Sequence, residues 1–136
     1  MKITADTNIL LRAVLQDDPK QAAVASELLR SADLVAVSLP SLCELVWILQ
    51  RGAKLSREEA AQTVRDLLNT EKVAMNRPAV EAGLSILEAS GDFADGVIAY
   101  EGNWLGGEIF CSFDKKAVKL LERQGKKNQA CRKINC

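Results

Sequence analysis

Apolar residues along this chain follow two patterns, short continuous runs and longer stretches in which they recur every three or four positions. Short runs bounded by polar residues are typical of buried strands, and the longer spacing is typical of amphipathic helices. The runs predict strands that end near residue 5 and at residues 34–37, 73–75 and 108–111. The helical spacing predicts helices at residues 8–15, 20–31, 38–50, 56–69, 76–89, 92–105 and 114–124.

Residues that start or stop helices mark several of these boundaries. Pro19 ends the first helix, because the residue before a proline avoids the helical region, and Gly52 follows the third. Ser56 and Glu59 have the spacing of a capping box. Strands that alternate with helices predict one α/β domain with a mostly parallel sheet over residues 1–124. The basic tail at residues 125–136 is expected to be loosely structured.

The composition is that of one ordinary domain. A chain of 136 residues is long enough to bury a hydrophobic core. No apolar run is long enough for a membrane span and the N-terminus lacks a signal-peptide pattern, so we expect a cytoplasmic protein. Cys43 and Cys111 lie in apolar segments, where we expect buried thiols. Cys131 and Cys136 lie in the polar tail, and neither a zinc site nor a disulfide framework is expected.

The charged residues narrow the chemistry further. The chain contains no histidine, which excludes Ser–His and Cys–His catalysis and leaves carboxylates to carry any hydrolysis. Residues 1–113 hold 16 acidic and 10 basic side chains, a net charge of −6, and residues 114–136 hold 2 and 8, a net charge of +6. An acidic body with a basic end can bind a cation and contact phosphates. A solvated, lysine-rich helix and tail is the alternative.

Acidic side chains follow two predicted strands and lie in two otherwise apolar helices. Asp6 and Asp114 each follow a strand, at the edge where parallel sheets bind ligands. Glu44 and Asp95 have apolar neighbours, and a charge is costly to bury without a partner. Each acid also has a structural explanation, such as capping of a helix by Asp6. Clustered carboxylates repel one another unless a cation lies among them, and oxygen ligands favour Mg²⁺ or Mn²⁺.

Four short motifs carry these acids, at residues 5–8, 42–45, 92–99 and 111–117. Their sequences are Ala-Asp-Thr-Asn, Leu-Cys-Glu-Leu, Asp-Phe-Ala-Asp-Gly-Val-Ile-Ala and Cys-Ser-Phe-Asp-Lys-Lys-Ala. In this order they resemble the PIN domain and, more narrowly, the VapC toxins of bacterial toxin–antitoxin pairs, over residues 2–121. The resemblance implies a three-layer α/β domain whose mostly parallel sheet has four or five strands flanked by helices. It also implies a Mg²⁺- or Mn²⁺-dependent endoribonuclease that forms a homodimer and is inhibited by a cognate antitoxin protein.

The resemblance assigns a role to each acid. The implied catalytic residues, which are also the implied metal-binding residues, are Asp6, Glu44, Asp95 and Asp114. Asp6 and Asp95 would bind the metal directly, whereas Glu44 and Asp114 would bind the metal or its waters.

Four further polar residues have supporting or peripheral roles in this scheme. Thr7 or Asn8 would orient Asp6 or the substrate phosphate through a hydrogen bond. Ser112 stands where the family often has threonine and keeps the hydroxyl group. Asp92 lies three residues before Asp95 in the same predicted helix and is treated as peripheral. An aspartate at the start of a helix is also favourable to the helix dipole, which is a structural explanation for it.

The function that the resemblance implies is that of the toxin of a type II toxin–antitoxin pair, which hydrolyses phosphodiester bonds in structured RNA such as tRNA or rRNA. Aromatic residues form only 4% of the chain, too few for a platform on which single-stranded bases stack, and this favours recognition of folded RNA. The alternatives are a non-catalytic binding module with a PIN fold and a housekeeping RNA-processing nuclease. The apolar segment 42–68 is a candidate surface for the antitoxin or a second copy, and core packing is its alternative.

Overall fold

The structure, a computed structural model, describes residues 1–124 and 130–134. Its helices are α1 (Thr7–Leu15), α2 (Pro19–Ser31), α3 (Leu39–Arg51), α4 (Arg57–Leu68), α5 (Arg77–Glu88), α6 (Phe93–Trp104) and α7 (Lys115–Arg123). Its strands are β1 (Lys2–Thr4), β2 (Leu34–Ala36), β3 (Val73–Ala74), β4 (Ile109–Ser112) and β5 (Ala130–Lys133). All the predicted helices are present, and each begins and ends within one residue of its predicted bounds. None of these described helices has the length and apolar character that a membrane crossing needs.

The described strands form two sheets in which all neighbours run parallel. In the first sheet the order is β1-β2-β3, with Ile3 opposite Val35 and Val35 opposite Val73. In the second sheet β4 pairs with β5, and Ile109 lies opposite Ala130. The predicted α/β fold with parallel strands is therefore confirmed. Its described strands are divided between a three-stranded and a two-stranded sheet, whereas the resemblance implies one sheet of four or five.

The predicted tail contains one of these strands. β5 lies within residues 125–136 and pairs with β4 along its whole length, so this part of the tail has regular structure where loose structure is expected. The rest of the tail, at residues 125–129 and 135–136, falls outside the described residues. For those positions, which include Cys136, the expectation remains a prediction.

The chain divides into two compact units, Met1–Asn76 and Arg77–Cys136. In the first unit α1 packs against α2 and α3, and α3 packs against α4. Apolar side chains of these elements and of β2 are buried, among them Leu10, Val35, Leu45 and Val64. The burial of regularly spaced residues on each helix is what their amphipathic pattern predicts.

In the second unit, two glycines allow α5 and α6 to pack closely. A Cβ atom at Gly96 would lie 2.4 Å from the carbonyl oxygen of Ala82 and 2.8 Å from the Cα atom of Gly83. A Cβ atom at Gly83 would lie 2.6 Å from the ring of Phe93. Only glycine permits backbones to approach this closely. The contact fixes the first turn of α6, which carries Asp95 directly before Gly96.

Side chains along β4 alternate between the core and solvent, which corrects one prediction. Phe110 is partly buried and packs against a core cluster formed by Ile86, Ala99, Leu120 and Leu121. Cys111 is exposed instead of buried, because successive side chains of a strand point to opposite sides. Cys43 on α3 is half-buried, and neither of these two cysteines forms a disulfide.

Candidate active site

Asp6 caps α1 in the first unit. Its Oδ1 atom accepts a hydrogen bond of 3.0 Å from the backbone N–H of Ile9, and its side chain is exposed. Its Oδ2 atom has no hydrogen-bond partner within the described part of the chain. The capping role considered from the sequence is thus present, and it leaves one carboxylate oxygen available to a ligand.

Thr7, the residue after Asp6, connects α1 to Glu44 on α3. Its hydroxyl oxygen lies 3.3 Å from Oε2 of Glu44 and 3.3 Å from the carbonyl oxygen of Ser41. A hydroxyl group has one hydrogen, so these two acceptors share or alternate the bond. Thr7 is only 7% exposed, and the surrounding packing therefore fixes its position. Thr7 supports Glu44, whereas the resemblance implies that it orients Asp6 or the substrate.

Glu44 occupies the exposed side of α3, which corrects the expectation of apolar surroundings. Leu42, Leu45 and Leu49 are fully buried, whereas Glu44 and Trp47 face solvent. The apolar sequence around Glu44 belongs to one face of an amphipathic helix, and the carboxylate lies on the other. Core packing explains the three leucines in the segment 42–68. Trp47, which is 59% exposed, is not explained in this way.

Two aspartates of the second unit lie close enough to a third, Asp95, to affect its ionisation. Asp92 caps α6, since its Oδ1 atom accepts a hydrogen bond of 3.0 Å from the backbone N–H of Ala94. Asp95 follows in the first turn and is half-buried. Burial raises the pKa of Asp95, and the negative charges of Asp92 and Asp114 raise it further. The structure therefore brings the predicted acids Asp95 and Asp114 together and adds Asp92, which the sequence treats as peripheral.

Asp114 caps α7 and is itself positioned by Ser112. Its Oδ1 atom accepts hydrogen bonds of 2.9 Å from the N–H of Lys116 and 3.2 Å from that of Ala117. The N–H of Asp114 donates to the hydroxyl oxygen of Ser112 at 2.9 Å. The hydroxyl group at residue 112 thus stabilises the turn between β4 and α7. This contact is a physical reason for a hydroxyl side chain at that position.

The acids of both units offer the donor atoms that Mg²⁺ and Mn²⁺ prefer. Within residues 1–124 and 130–134, no three His, Cys, Asp or Glu side chains form a group that could hold a metal ion. The local observation that favours a cation is the half-buried Asp95 beside two other carboxylates, because their charges and its burial make the ionised form of Asp95 unfavourable. A divalent cation would offset this repulsion. Oxygen donors in a chain without histidine fit Mg²⁺ or Mn²⁺ better than zinc.

A cavity of about 380 Å³ opens beside Asp6, between α1 and α2. Its other lining residues are Asn8, Ile9, Arg12, Lys20, Gln21, Val24 and Ala25. Arg12 bonds both carboxylate oxygens of Asp17 through Nη1, at 2.9 and 3.0 Å. The Nε atom of Arg12 is buried and has no hydrogen-bond partner among the described residues. The sequence analysis did not predict this cavity, because no local pattern specifies how two helices cross.

Comparison of the sequence with models of known protein families identifies the family of this chain. The family model of the PIN domain matches residues 3–123. The chain belongs to the PIN domain family. A comparison with curated proteins gave no match. PIN domains are generally nucleases and typically use divalent metal ions, so this chain has a nuclease-type fold. The predicted resemblance to the PIN domain is confirmed.

Proposed function

We propose that this PIN domain is a Mg²⁺- or Mn²⁺-dependent endoribonuclease and acts as the toxin of a type II toxin–antitoxin pair. The observation that carries the proposal is the position of Asp95, which is half-buried in the first turn of α6 beside the carboxylates of Asp92 and Asp114, and this environment raises its pKa. Groups held in an unfavourable electrostatic environment are concentrated at functional sites. The proposed substrate is structured RNA such as tRNA or rRNA.

In this proposal four carboxylates carry the hydrolysis, those of Asp6, Glu44, Asp95 and Asp114. Asp6 and Asp95 would bind the metal directly, and Glu44 and Asp114 would bind it or its waters. A bound ion supplies a water of lowered pKa and stabilises negative charge on the scissile phosphate. Since the chain has no histidine, the proton acceptor would be a carboxylate, and we expect a product with a 5′ phosphate.

Polar neighbours support these carboxylates. The Thr7 hydroxyl donates to Glu44, and the Ser112 hydroxyl accepts the backbone N–H of Asp114. Asn8 is exposed and lines the cavity beside Asp6, where its amide group could donate a hydrogen bond to a substrate phosphate. The contacts of Thr7 and Ser112 restrict the motion of Glu44 and Asp114 and leave carboxylate oxygens of both residues available to a ligand.

RNA cleavage in Mn²⁺ by the native protein and by Asp6→Asn tests the proposal. Asparagine caps helices as well as aspartate does, so the variant should fold normally. We expect activity to fall on the order of 100-fold or more, since loss of residues that merely support metal ligands already costs about 10- to 100-fold. Asp18→Asn is the matched control, because Asp18 caps α2 in the same way.

Equal cleavage by the native protein and Asp6→Asn would overturn the enzymatic proposal. Products that end in a 2′,3′-cyclic phosphate would contradict the metal-dependent route. A native protein that binds RNA but cleaves none would favour the non-catalytic binding module.

We further propose a cognate antitoxin as inhibitor and a homodimer as the assembled state. Trp47 supports a protein contact on α3, because a large aromatic side chain is 59% exposed there. Mapping of cleavage sites in total cellular RNA after expression tests the toxin role. A toxin should cut a few sites in one class of mature RNA, whereas cuts confined to precursor ends would indicate a housekeeping nuclease.

A further inference from the structure

We infer that the exposed side of α7 binds the phosphate backbone of RNA next to Asp114, a proposed catalytic acid, an inference that rests on the proposed nuclease function. The side chains concerned are Lys115, Lys116, Lys119 and Arg123, which we call the α7 basic face. All four are exposed. The helix begins directly after Asp114, so the face starts beside a proposed catalytic carboxylate.

Helix geometry places these four cations on one side of α7. At about 100° per residue, the four side chains fall within an arc of about 100° around the helix axis. The opposite side is formed by the buried residues Ala117, Val118, Leu120 and Leu121. With a rise of about 1.5 Å per residue, the α7 basic face extends about 12 Å from Lys115 to Arg123.

The arrangement of these cations does not favour the helix itself. Lys115 and Lys119, and Lys119 and Arg123, are like charges four residues apart, which repel each other. Lys115 and Lys116 also lie in the first turn, where the helix dipole disfavours positive charge. Among the ion pairs between described residues, none includes any of the four. Arg123 lies in the last turn, where the helix dipole favours positive charge. Helix stability therefore does not explain the three lysines of the α7 basic face, whereas an anionic partner would explain all four cations.

The distribution of charge identifies the partner as a polyanion. Residues 1–113 carry a net charge of −6 and residues 114–136 one of +6, so a polyanion is repelled by most of the chain and attracted to α7 and the segment that follows. An extended row of cations beside a proposed phosphodiester-cleaving site suits successive backbone phosphates. Phosphate contacts of this kind position RNA and do not read its sequence.

Binding of RNA in EDTA, measured over a series of salt concentrations, tests the inference separately from cleavage. The test variant is Lys116→Gln/Lys119→Gln/Arg123→Gln, because glutamine preserves helix propensity. The control is Lys2→Gln/Arg51→Gln/Lys54→Gln, which removes the same charge at exposed positions elsewhere. We expect the slope of log K against log salt to fall by about 2 to 3 for three lost phosphate contacts, the lower value for single-stranded and the higher for double-stranded segments of a folded RNA. Affinity at low salt should fall on the order of tenfold for every RNA sequence tested.

The outcomes separate this inference from the proposed function. A reduced slope in the α7 variant alone, with an unchanged or raised melting temperature, supports the inference even if the native protein cleaves no RNA. Equal slopes in the two variants would overturn it even if the native protein is an active nuclease. It would also be overturned if the α7 variant kept native RNA binding and instead lost binding to an acidic protein.

Discussion

At the scale of single residues, Asp95 lies half-buried beside Asp92 and Asp114, and its pKa in the folded protein is raised above the usual value. The folded state therefore binds the proton of Asp95 more tightly than the unfolded state does. As pH rises from the usual pKa of 3.8 through the raised value, the folded state loses stability from this group. Asp95 therefore contributes less stability to the metal-free protein at neutral pH than in acid.

We predict that Asp95→Asn abolishes cleavage and raises the melting temperature of the metal-free protein at neutral pH. Asparagine removes the charge and keeps nearly the same shape, so both effects follow from the lost charge. The gain should shrink as pH falls through the raised pKa of Asp95 and should be absent below the usual value of 3.8, where the carboxyl group is protonated in both the folded and the unfolded state. Thermal unfolding in EDTA at several pH values measures it, and a difference that does not change with pH would contradict the explanation.

A second prediction concerns the hydroxyl of Thr7, which lies 3.3 Å from Glu44. Thr7→Val replaces the hydroxyl with a methyl group in a buried position, and Glu44 loses its hydrogen bond. We expect Mn²⁺ affinity, measured by calorimetry, to fall about 10-fold, at the low end of effects for residues that orient ligands. Thr7→Ser is the control because it retains the hydroxyl. Equal weakening by both variants would point to packing rather than to the hydrogen bond.

At the scale of elements, the α5–α6 contact positions the first turn of α6. Gly96→Ala would place a Cβ atom 2.4 Å from a backbone oxygen of α5, and backbone cannot move aside as a flexible side chain can. We expect the free energy of unfolding to fall by about 1–3 kcal/mol, as it does when a core is overpacked. Urea denaturation measures this loss.

Gly102→Ala is the matched control in the same helix. A Cβ atom there meets nothing within 4 Å, so alanine should stabilise α6 by about 0.5–1 kcal/mol. Two Gly→Ala substitutions six residues apart are thus expected to have opposite signs. Equal effects of the two substitutions would mean that close packing against α5 is not the reason for glycine at residue 96.

The capping box of α4 shows what a local pattern can predict. Ser56 accepts the N–H of Glu59 at 3.1 Å, and the Glu59 carboxylate accepts the N–H of Ser56 at 3.0 Å. Hydrogen bonds to the Glu59 carboxylate from the backbone N–H of Ser56 and from its side chain lower the pKa of Glu59. Because the folded pKa is lowered, the stability from Glu59 is present above the usual pKa of 4.5 and is lost as pH falls through the lowered value.

We predict that Ser56→Ala destabilises the protein by about 1 kcal/mol at neutral pH through loss of the hydroxyl cap. The loss in the free energy of unfolding should be smaller at acidic pH, where the Glu59 carboxyl group of the capping box is already protonated. Denaturation at neutral and acidic pH measures both values. Glu58→Gln, a neighbouring change outside the box, is the control and should leave this pH dependence unchanged.

At the scale of the whole molecule, binding of a divalent cation to the folded state alone should stabilise the chain. A ligand at about 100 times its dissociation constant adds about 2.7 kcal/mol. We therefore predict that Mn²⁺ raises the melting temperature of the native protein, that EDTA reverses the rise, and that Asp95→Asn reduces it. A native melting temperature that is the same at all Mn²⁺ concentrations would contradict metal binding, whatever the activity.

Local sequence determined much of this protein. Each helix and its ends follow from apolar spacing, caps and prolines, which act over a few residues, so all are readable without the tertiary structure. The order of the four acidic motifs was enough to indicate the PIN family, which the match to residues 3–123 confirms. The position of Asp6 at the start of α1 was also predictable, because capping depends only on the next three residues.

Other features depended on contacts between distant residues, and only the tertiary structure decided them. The exposure of Cys111 and Glu44 depends on which face of β4 and α3 meets the core. The electrostatic coupling of Asp92, Asp95 and Asp114 depends on bringing α6 next to the turn that follows β4. The division of the strands into two sheets and the cavity beside Asp6 depend on how elements pair and cross. Packing over the whole chain decides these features, and no short sequence pattern predicts them.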